Sequence, residues 1–281
     1  MTRALGPDDA TAALALSSEA GWNQTLSDWH FMLAAGEARG QLTAAGALVA
    51  SALILPYEDR IAWIAMVLTT ESHRRRGLAT ANLHWAMRRC AARGLIAGLD
   101  ATPAGREVYA PQGFSDLWGL QRLRAERPAL AEPLHRAAIR PMRTDDLAAI
   151  AALDAEAFGA RRDALLAYLH GCRPECAWIA QHPAGETVGF VLGRAGGTTS
   201  HIGPLIAHDP DIAAALAARA LAHARGMPVS IDVPDGQGVF RRRLLAAGFV
   251  VLRPFTRMLR CNNAASAEAG LTFAIAGPEL G

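Results

Sequence analysis

Two stretches of this chain carry the same punctuation, and that repetition constrains the fold more than any other feature. Ala92-Arg93-Gly94 is followed, six residues after the glycine, by Asp100 in Gly-Leu-Ile-Ala-Gly-Leu-Asp. Ala224-Arg225-Gly226 is followed at the same six-residue interval by Asp232 in Gly-Met-Pro-Val-Ser-Ile-Asp. Each aspartate precedes a proline-bearing loop, a helix-like segment and a Gly-Phe pair, Gly113-Phe114 and Gly248-Phe249. Each pair leads into a strand-like run that ends in basic residues. Self-similarity over so long a period predicts two copies of one α/β unit of about 130 residues rather than one large domain. A chain of 281 residues has the length for two domains.

The boundary falls where prolines cluster, from Glu126-Arg127-Pro128 to Pro133. We therefore expect units at residues 1–127 and 138–281 with a linker at 128–137. In the first, Pro7-Asp8-Asp9 caps a helix that Gly21 ends, and Ser27-Asp28 starts a second that stops at Gly36. Leu42 to Leu55 carries two short strands with Gly46 near their turn, and Tyr57-Glu58-Asp59-Arg60 turns the chain back. In the second unit Ile139-Arg140-Pro141-Met142 restarts as an edge strand. Thr144-Asp145-Asp146 opens a helix running to Phe158 before Gly159. Turns fall at His182-Pro183-Ala184-Gly185 and Gly196-Gly197.

A hydrophobic content of 51% against 19% charged residues describes a well-cored globular protein. The net charge of +2 gives no drive toward nucleic acid or membranes as partners. All 28 basic residues are arginine, a composition expected from GC-rich coding. Cys90, Cys172, Cys176 and Cys261 form no regular zinc framework, so no metal is expected. The first residues lack the apolar core of a signal peptide, and no run approaches a membrane span of roughly 20 apolar residues. The expectation is a cytoplasmic protein with reduced thiols. Oligomeric state is left open.

The chemistry concentrates at Arg74-Arg75-Arg76-Gly77-Leu78-Ala79-Thr80. This stretch follows the apolar run Ile61 to Leu68 and opens a helix-like run that ends at Gly94. Strand, basic glycine turn and helix N-terminus in that order make an anion site: free N–H groups and the positive end of the helix dipole converge. Gly77 and Ala79 are small enough for a phosphate to approach the backbone. The arginines add fork-shaped donors.

Arg74-x-x-Gly77-x-Ala79 resembles the Q/R-x-x-G-x-G/A signature of the GNAT superfamily of acyl-CoA-dependent N-acyltransferases. Val67 and Leu68 ending the preceding strand, and Leu95 to Asp100 as the next one, sit at similar spacing. Val108-Tyr109 followed by Gly113-Phe114 resembles the family's L-Y-x-x-x-G-F segment. The resemblance implies an α/β fold with a mixed sheet, in two tandem GNAT-like domains. It implies acetyl-CoA as co-substrate, its pyrophosphate held by residues 74–80 and its pantetheine arm laid along Met66, Val67 and Leu68. Tyr109 takes the place of a proton donor to the leaving thiolate; the alternative is a tyrosine bonded to a backbone carbonyl. Asp100 is either an amine-orienting or proton-relaying group, or a cap for the loop at Ala101-Thr102-Pro103. Trp22, Asn23, Gln24 and Asp28 fall in the connection that shapes the acceptor pocket in this superfamily, with Asp28 suited to a cationic amine and Trp22 equally suited to packing. His30, His73 and His84 read as surface or core residues.

In the second unit the matching turn is Ile206-Ala207-His208-Asp209-Pro210-Asp211, with no glycine, no arginine and two carboxylates. Phe240 or its neighbours stand where Tyr109 stands in the first. This half, with Ile231-Asp232-Val233-Pro234 and the end Gly277-Pro278-Glu279-Leu280-Gly281, resembles the degenerate C-terminal domain of tandem-GNAT acetyltransferases. The implied function is N-acetyl transfer to a small-molecule amine. The alternatives are transfer to a protein α-amino group and a non-catalytic acyl-CoA sensor or scaffold.

Overall fold

A computed structural model describes residues 1–224, 226–260 and 269–281; Arg225 of the repeated turn and Cys261 lie outside the described residues. The first half runs β1 (Thr2–Leu5), α1 (Ala10–Glu19), α2 (Leu26–Ala35), β2 (Glu37–Leu42), β3 (Leu48–Tyr57), β4 (Ile61–Thr69), α3 (Leu78–Ala92), β5 (Ile96–Ala101), α4 (Pro103–Tyr109) and β6 (Ser115–Ala125). The second half repeats this order as β7 (Ala138–Pro141), α5 (Leu147–Phe158), α6 (Asp163–Cys172), β8 (Trp178–Gln181), β9 (Thr187–Arg194), β10 (Ser200–Ala207), α7 (Pro210–His223), β11 (Val229–Pro234), α8 (Gly238–Ala246) and β12 (Val250–Arg260). A short β13 (Thr272–Ala274) follows. Element by element, the duplication expected from the repeated Gly-x₅-Asp punctuation is present. The segment 126–137 carries neither helix nor strand.

Local chemistry explains most element ends. Thr25 caps α2 by accepting from the Asp28 N–H, while Asp28 bonds back to the Thr25 N–H at 2.7 Å. That reciprocal box starts the helix at Leu26, one residue before the expected Ser27. Gly159 at φ 94° closes α5. The first strand of the β2–β3 hairpin begins at Glu37 rather than Leu42, because it pairs along its length with both β1 and β3.

The strands form one 13-stranded sheet in the order β1-β2-β3-β4-β5-β12-β6-β11-β10-β9-β8-β7, with β13 on β10. The order is nearly palindromic, and its centre is exchanged: β12, from the second half, lies between β5 and β6 of the first, and β6 lies against β11. Among the described residues only β4–β5 and β10–β11 are parallel. The apolar runs of β3 and β4 alternate between faces. Leu53, Leu55, Trp63 and Ala65 join a core that also contains residues of α1, α2, α5 and α6. Ile54, Ala62 and Ile64 pack on the opposite side with Leu83, Ala86 and Cys90 of α3. The first of these cores spans both halves. Phe158 packs edge-on to Tyr57, their centroids 5.3 Å apart, and Phe31 stacks on Tyr168 at 4.3 Å.

A continuous sheet with exchanged central strands makes the halves interdependent. Among the described residues β6 pairs only with β11 and β12. We predict that residues 1–130 expressed alone give aggregates or oligomers, since both β5 and β6 then present bare edges. Size-exclusion chromatography and thermal melting of the fragment against the full chain check this. A monomer with a sharp, cooperative melt would contradict it.

Candidate active site

The basic turn stands open at the surface. A short 3-10 turn at Glu71–His73 leads into it, and Gly77 at φ 73° forms the N-terminal boundary of α3. A side chain at Gly77 would meet no atom within 4 Å, yet its left-handed conformation disfavours one. Arg75 also takes a positive φ, 61°. The entry is pinned by Glu19 at the end of α1, which accepts from the Glu71 N–H at 2.6 Å and from the Thr70 hydroxyl. Arg74, Arg75, Arg76 and Gly77 are exposed, as is Thr80; Leu78 and Ala79 are half-buried. Among the described residues the Arg74 side chain has only a distant ion pair, 3.9 Å to Glu71, and no carboxylate caps the N-terminus of α3.

From this turn a groove leads inward between two parting strands. β4 and β5 pair only from Ile61–Ile96 to Trp63–Gly98 and diverge beyond. Met66, at φ 53° beside an irregularity in the β3–β4 register, twists β4 at that point, and the Ser51 hydroxyl bonds its carbonyl at 2.8 Å. The opening holds a cavity of about 320 Å³. Its walls bring together seven of the residues singled out in the sequence: Trp22, Asn23, Gln24, Met66, Val67, Asp100 and Tyr109. Leu68 is buried outside it. Sequence reasoning missed Arg122, Arg253, Phe255, Pro278 and Glu279, which reach the cavity through strand exchange and the final residues of the chain.

Tyr109 ends α4, with its ring 6.0 Å from Phe114. Its hydroxyl has no hydrogen bond among the described residues, so it is not the carbonyl-bonded tyrosine of the alternative reading. Burial pushes the phenol above its ordinary value, keeping it protonated at neutral pH. Gln24 is buried, and its Oε1 has no hydrogen-bond partner among the described residues.

Three expectations need correction. Asp28 does not line the cavity. Its carboxylate accepts from the Thr25 N–H and hydroxyl, from the Tyr168 hydroxyl at 2.9 Å and from Arg194 at 2.9 Å, so it anchors α2 to the second half. Asp100 is neither a free base nor a loop cap, since Thr102 caps α4. Both of its oxygens accept from Arg257, at 2.9 and 2.8 Å, and its side chain is wholly buried. Burial pushes its carboxyl upward against the pull of Arg257. Asn23 borders the cavity, but its amide is spent on Thr198 and Thr199.

The second half offers the same plan with each opening closed. Asp209 caps α7, accepting from the N–H groups of Asp211 and Ile212 at 2.8 and 2.9 Å, and so fills the anion position with the chain's own carboxylate. β10 and β11 pair only at Ser200–Val229 and His201–Ser230. The gap beyond is occupied by β13, which pairs with β10, and the Ile275 N–H bonds the Asp232 carbonyl at 3.1 Å. Phe240 is fully buried. Among the described residues no three His, Cys, Asp or Glu side chains could hold a metal ion, and no helix is long and apolar enough to cross a membrane.

A mixed sheet whose parallel strands part beside a glycine-capped basic helix start defines the class: an acyltransferase fold, here present twice. The comparisons agree. The acetyltransferase (GNAT) family profile matches residues 13–114, and the acetyltransferase (GNAT) domain profile matches residues 150–274. The uncharacterized N-acetyltransferase YitH of Bacillus subtilis (strain 168) is 25% identical over 246 residues, spanning 87% of this chain and 86% of its own. A putative acetyltransferase from Pyrococcus horikoshii shares the fold with a TM-score of 0.79 at 19% identity, over 100% of this chain and 95% of that one. A tandem GNAT protein from the clavulanic acid biosynthesis pathway superposes with a TM-score of 0.66 at 13% identity, over 95% of this chain and 99% of that one. The chain belongs to the GNAT superfamily and is a tandem-GNAT acyltransferase.

Since Asp100 is an anchor, its loss should register in stability. Asp100→Ala strands Arg257 between Trp63 and Trp118, 4.5 Å from each ring centre. We predict a loss of about 3–5 kcal/mol, read from denaturant unfolding. A near-neutral effect on stability with lost activity would restore the catalytic reading.

Proposed function

We propose that the protein is an N-acetyltransferase that moves an acetyl group from acetyl-CoA to the primary amine of a small molecule, with one working site in the first half. The observation that carries this reading is a contrast. The turn at 74–80 is open and free of carboxylates, and it leads through a strand gap to a cavity with an unpaired phenol. The equivalent turn is capped by Asp209 and the equivalent gap filled by β13. The division into a catalytic part at 1–127 and a degenerate part at 138–281 follows the same contrast.

In this reading the N–H groups at the start of α3 and the arginines of the turn hold the pyrophosphate. The pantetheine arm lies along Met66 to Leu68, where β4 has left β5. The Val67 N–H polarises the thioester carbonyl as a single oxyanion donor. The amine attacks the carbonyl carbon, and the tetrahedral intermediate expels the thiolate, which Tyr109 protonates. The proton released by the amine passes to Glu279, the cavity carboxylate with one oxygen on Arg194 and no second hydrogen bond among the described residues.

Two measurements test this. Calorimetry should show one acetyl-CoA per chain. Gly77→Val should weaken binding about tenfold or more, because a branched residue resists the left-handed conformation; two equivalent sites per chain would overturn the assignment. Tyr109→Phe should lower kcat about 10²–10⁴-fold with acetyl-CoA affinity nearly unchanged. Because burial raises the phenol, the wild-type rate should hold through neutral pH and fall only above the ordinary tyrosine range near about 10. Acetyl-CoA binding without transfer to any amine would favour the sensor reading instead.

A further inference from the structure

The charges around the cavity balance in sum but not in place. Arg122 is bidentate to Asp232 at 2.8 and 2.7 Å, and Arg257 to Asp100. Arg194 serves two carboxylates, Asp28 and Glu279. Arg253 has none in contact: among the described residues its side chain makes no ion pair and no hydrogen bond, and Asp232 and Glu279 act on it only at longer range. Four arginines thus stand against four carboxylates, with Arg194 shared by two of them and Arg253 in contact with none.

Arg253 is half-buried against the cavity wall. Its guanidinium lies 5.0 Å from the centre of the Phe255 ring, and that of Arg122 lies 5.3 Å from the same ring. Burial first, and then the charge of Arg122, hold Arg253 below its ordinary value. Two guanidiniums on one ring, only one of them neutralised, repel each other in a partly desolvated place. An anion arriving there relieves that repulsion and gains fork-shaped donors. The same lining carries Glu279 and the Gln24 Oε1, which has no hydrogen-bond partner among the described residues, and both can accept from an N–H.

Resting on the transferase reading above, we propose that the acceptor is an amine that carries its own carboxylate, an amino acid or a close zwitterionic relative. Its carboxylate lies on Arg253, and its amine lies toward Glu279 and Gln24. The lining then offers a group of opposite charge to each charged group of the substrate. A cavity of about 320 Å³ suits a compact molecule of this kind.

The test compares matched pairs on the full chain with saturating acetyl-CoA: histidine with histamine, tyrosine with tyramine, ornithine with putrescine, and each acid with its methyl ester. The acid should be favoured at least about tenfold in kcat/KM. Arg253→Gln should collapse that preference by about 10- to 100-fold, mainly through KM, and Arg253→Lys should restore part of it. The wild-type pairs decide the matter whether or not the variants fold. Equal use of acid, ester and decarboxylated amine overturns the proposal while leaving the transferase reading intact. So does a phosphonate amine preferred over every carboxylate. Saturable acetyl-CoA binding with no acceptor turned over overturns both.

Discussion

Two cross-strand pairs at the centre of the sheet hold the rest of the molecule in register. Asp100 faces Arg257 where β5 meets β12, and Asp232 faces Arg122 where β11 meets β6. Each pair joins an aspartate of one half to an arginine on the last strand of the other. The antiparallel register sets the partners directly opposite one another, so bidentate geometry follows from the backbone. A slip of one residue would turn each buried charge to the wrong face without its counter-ion. The two pairs are related by the duplication yet differ in balance. For Asp232, burial is the largest influence and pushes upward, but Arg122, His201 and Arg253 together outweigh it and leave the carboxyl below its usual range; for Asp100, burial prevails.

This exchange also makes the cavity a joint product. Its strand gap, turn and Tyr109 come from the first half. Its far wall comes from β12 and the final residues. The loop at Trp22 to Gln24 is fixed not by its own helices alone but by Asn23 bonding Thr198 and Thr199 across the interface. The second half therefore serves as scaffold and lining for the cavity beside the first.

Much of this was legible in the chain. The spacing of Gly94 to Asp100 and of Gly226 to Asp232 disclosed the duplication, and Arg74-x-x-Gly77-x-Ala79 disclosed the turn, because both are local and sterically demanding. The absence of glycine at 206–211 and the presence of Asp209 and Asp211 revealed the closed copy. The roles of Asp28 and Asp100 were misread for one reason: their partners Arg194 and Arg257 lie 166 and 157 residues away. A carboxylate beside a pocket and a carboxylate inside an ion pair look alike until the partner is seen. One signal was available. Arg122 and Arg257 stand at the same offset, eight residues, from Phe114 and Phe249, and each mirrors the aspartate of the opposite repeat. Arg253 and Glu279 had no such echo, since strand exchange and the path of the tail bring them in.

That tail has a consequence of its own. Thr272 to Ala274 lie on β10, in the gap of the closed copy, and a few residues on Glu279 enters the open one. Between them the Trp63 indole N–H bonds the Pro278 carbonyl at 2.8 Å, and beyond them the Tyr57 hydroxyl bonds that of Leu280 at 2.6 Å. Ten residues thus act as a tie-rod between two clefts, one filled by a strand and one open. The strand that fills one cleft and the carboxylate that lines the other belong to a single short stretch held by hydrogen bonds from β3 and β4.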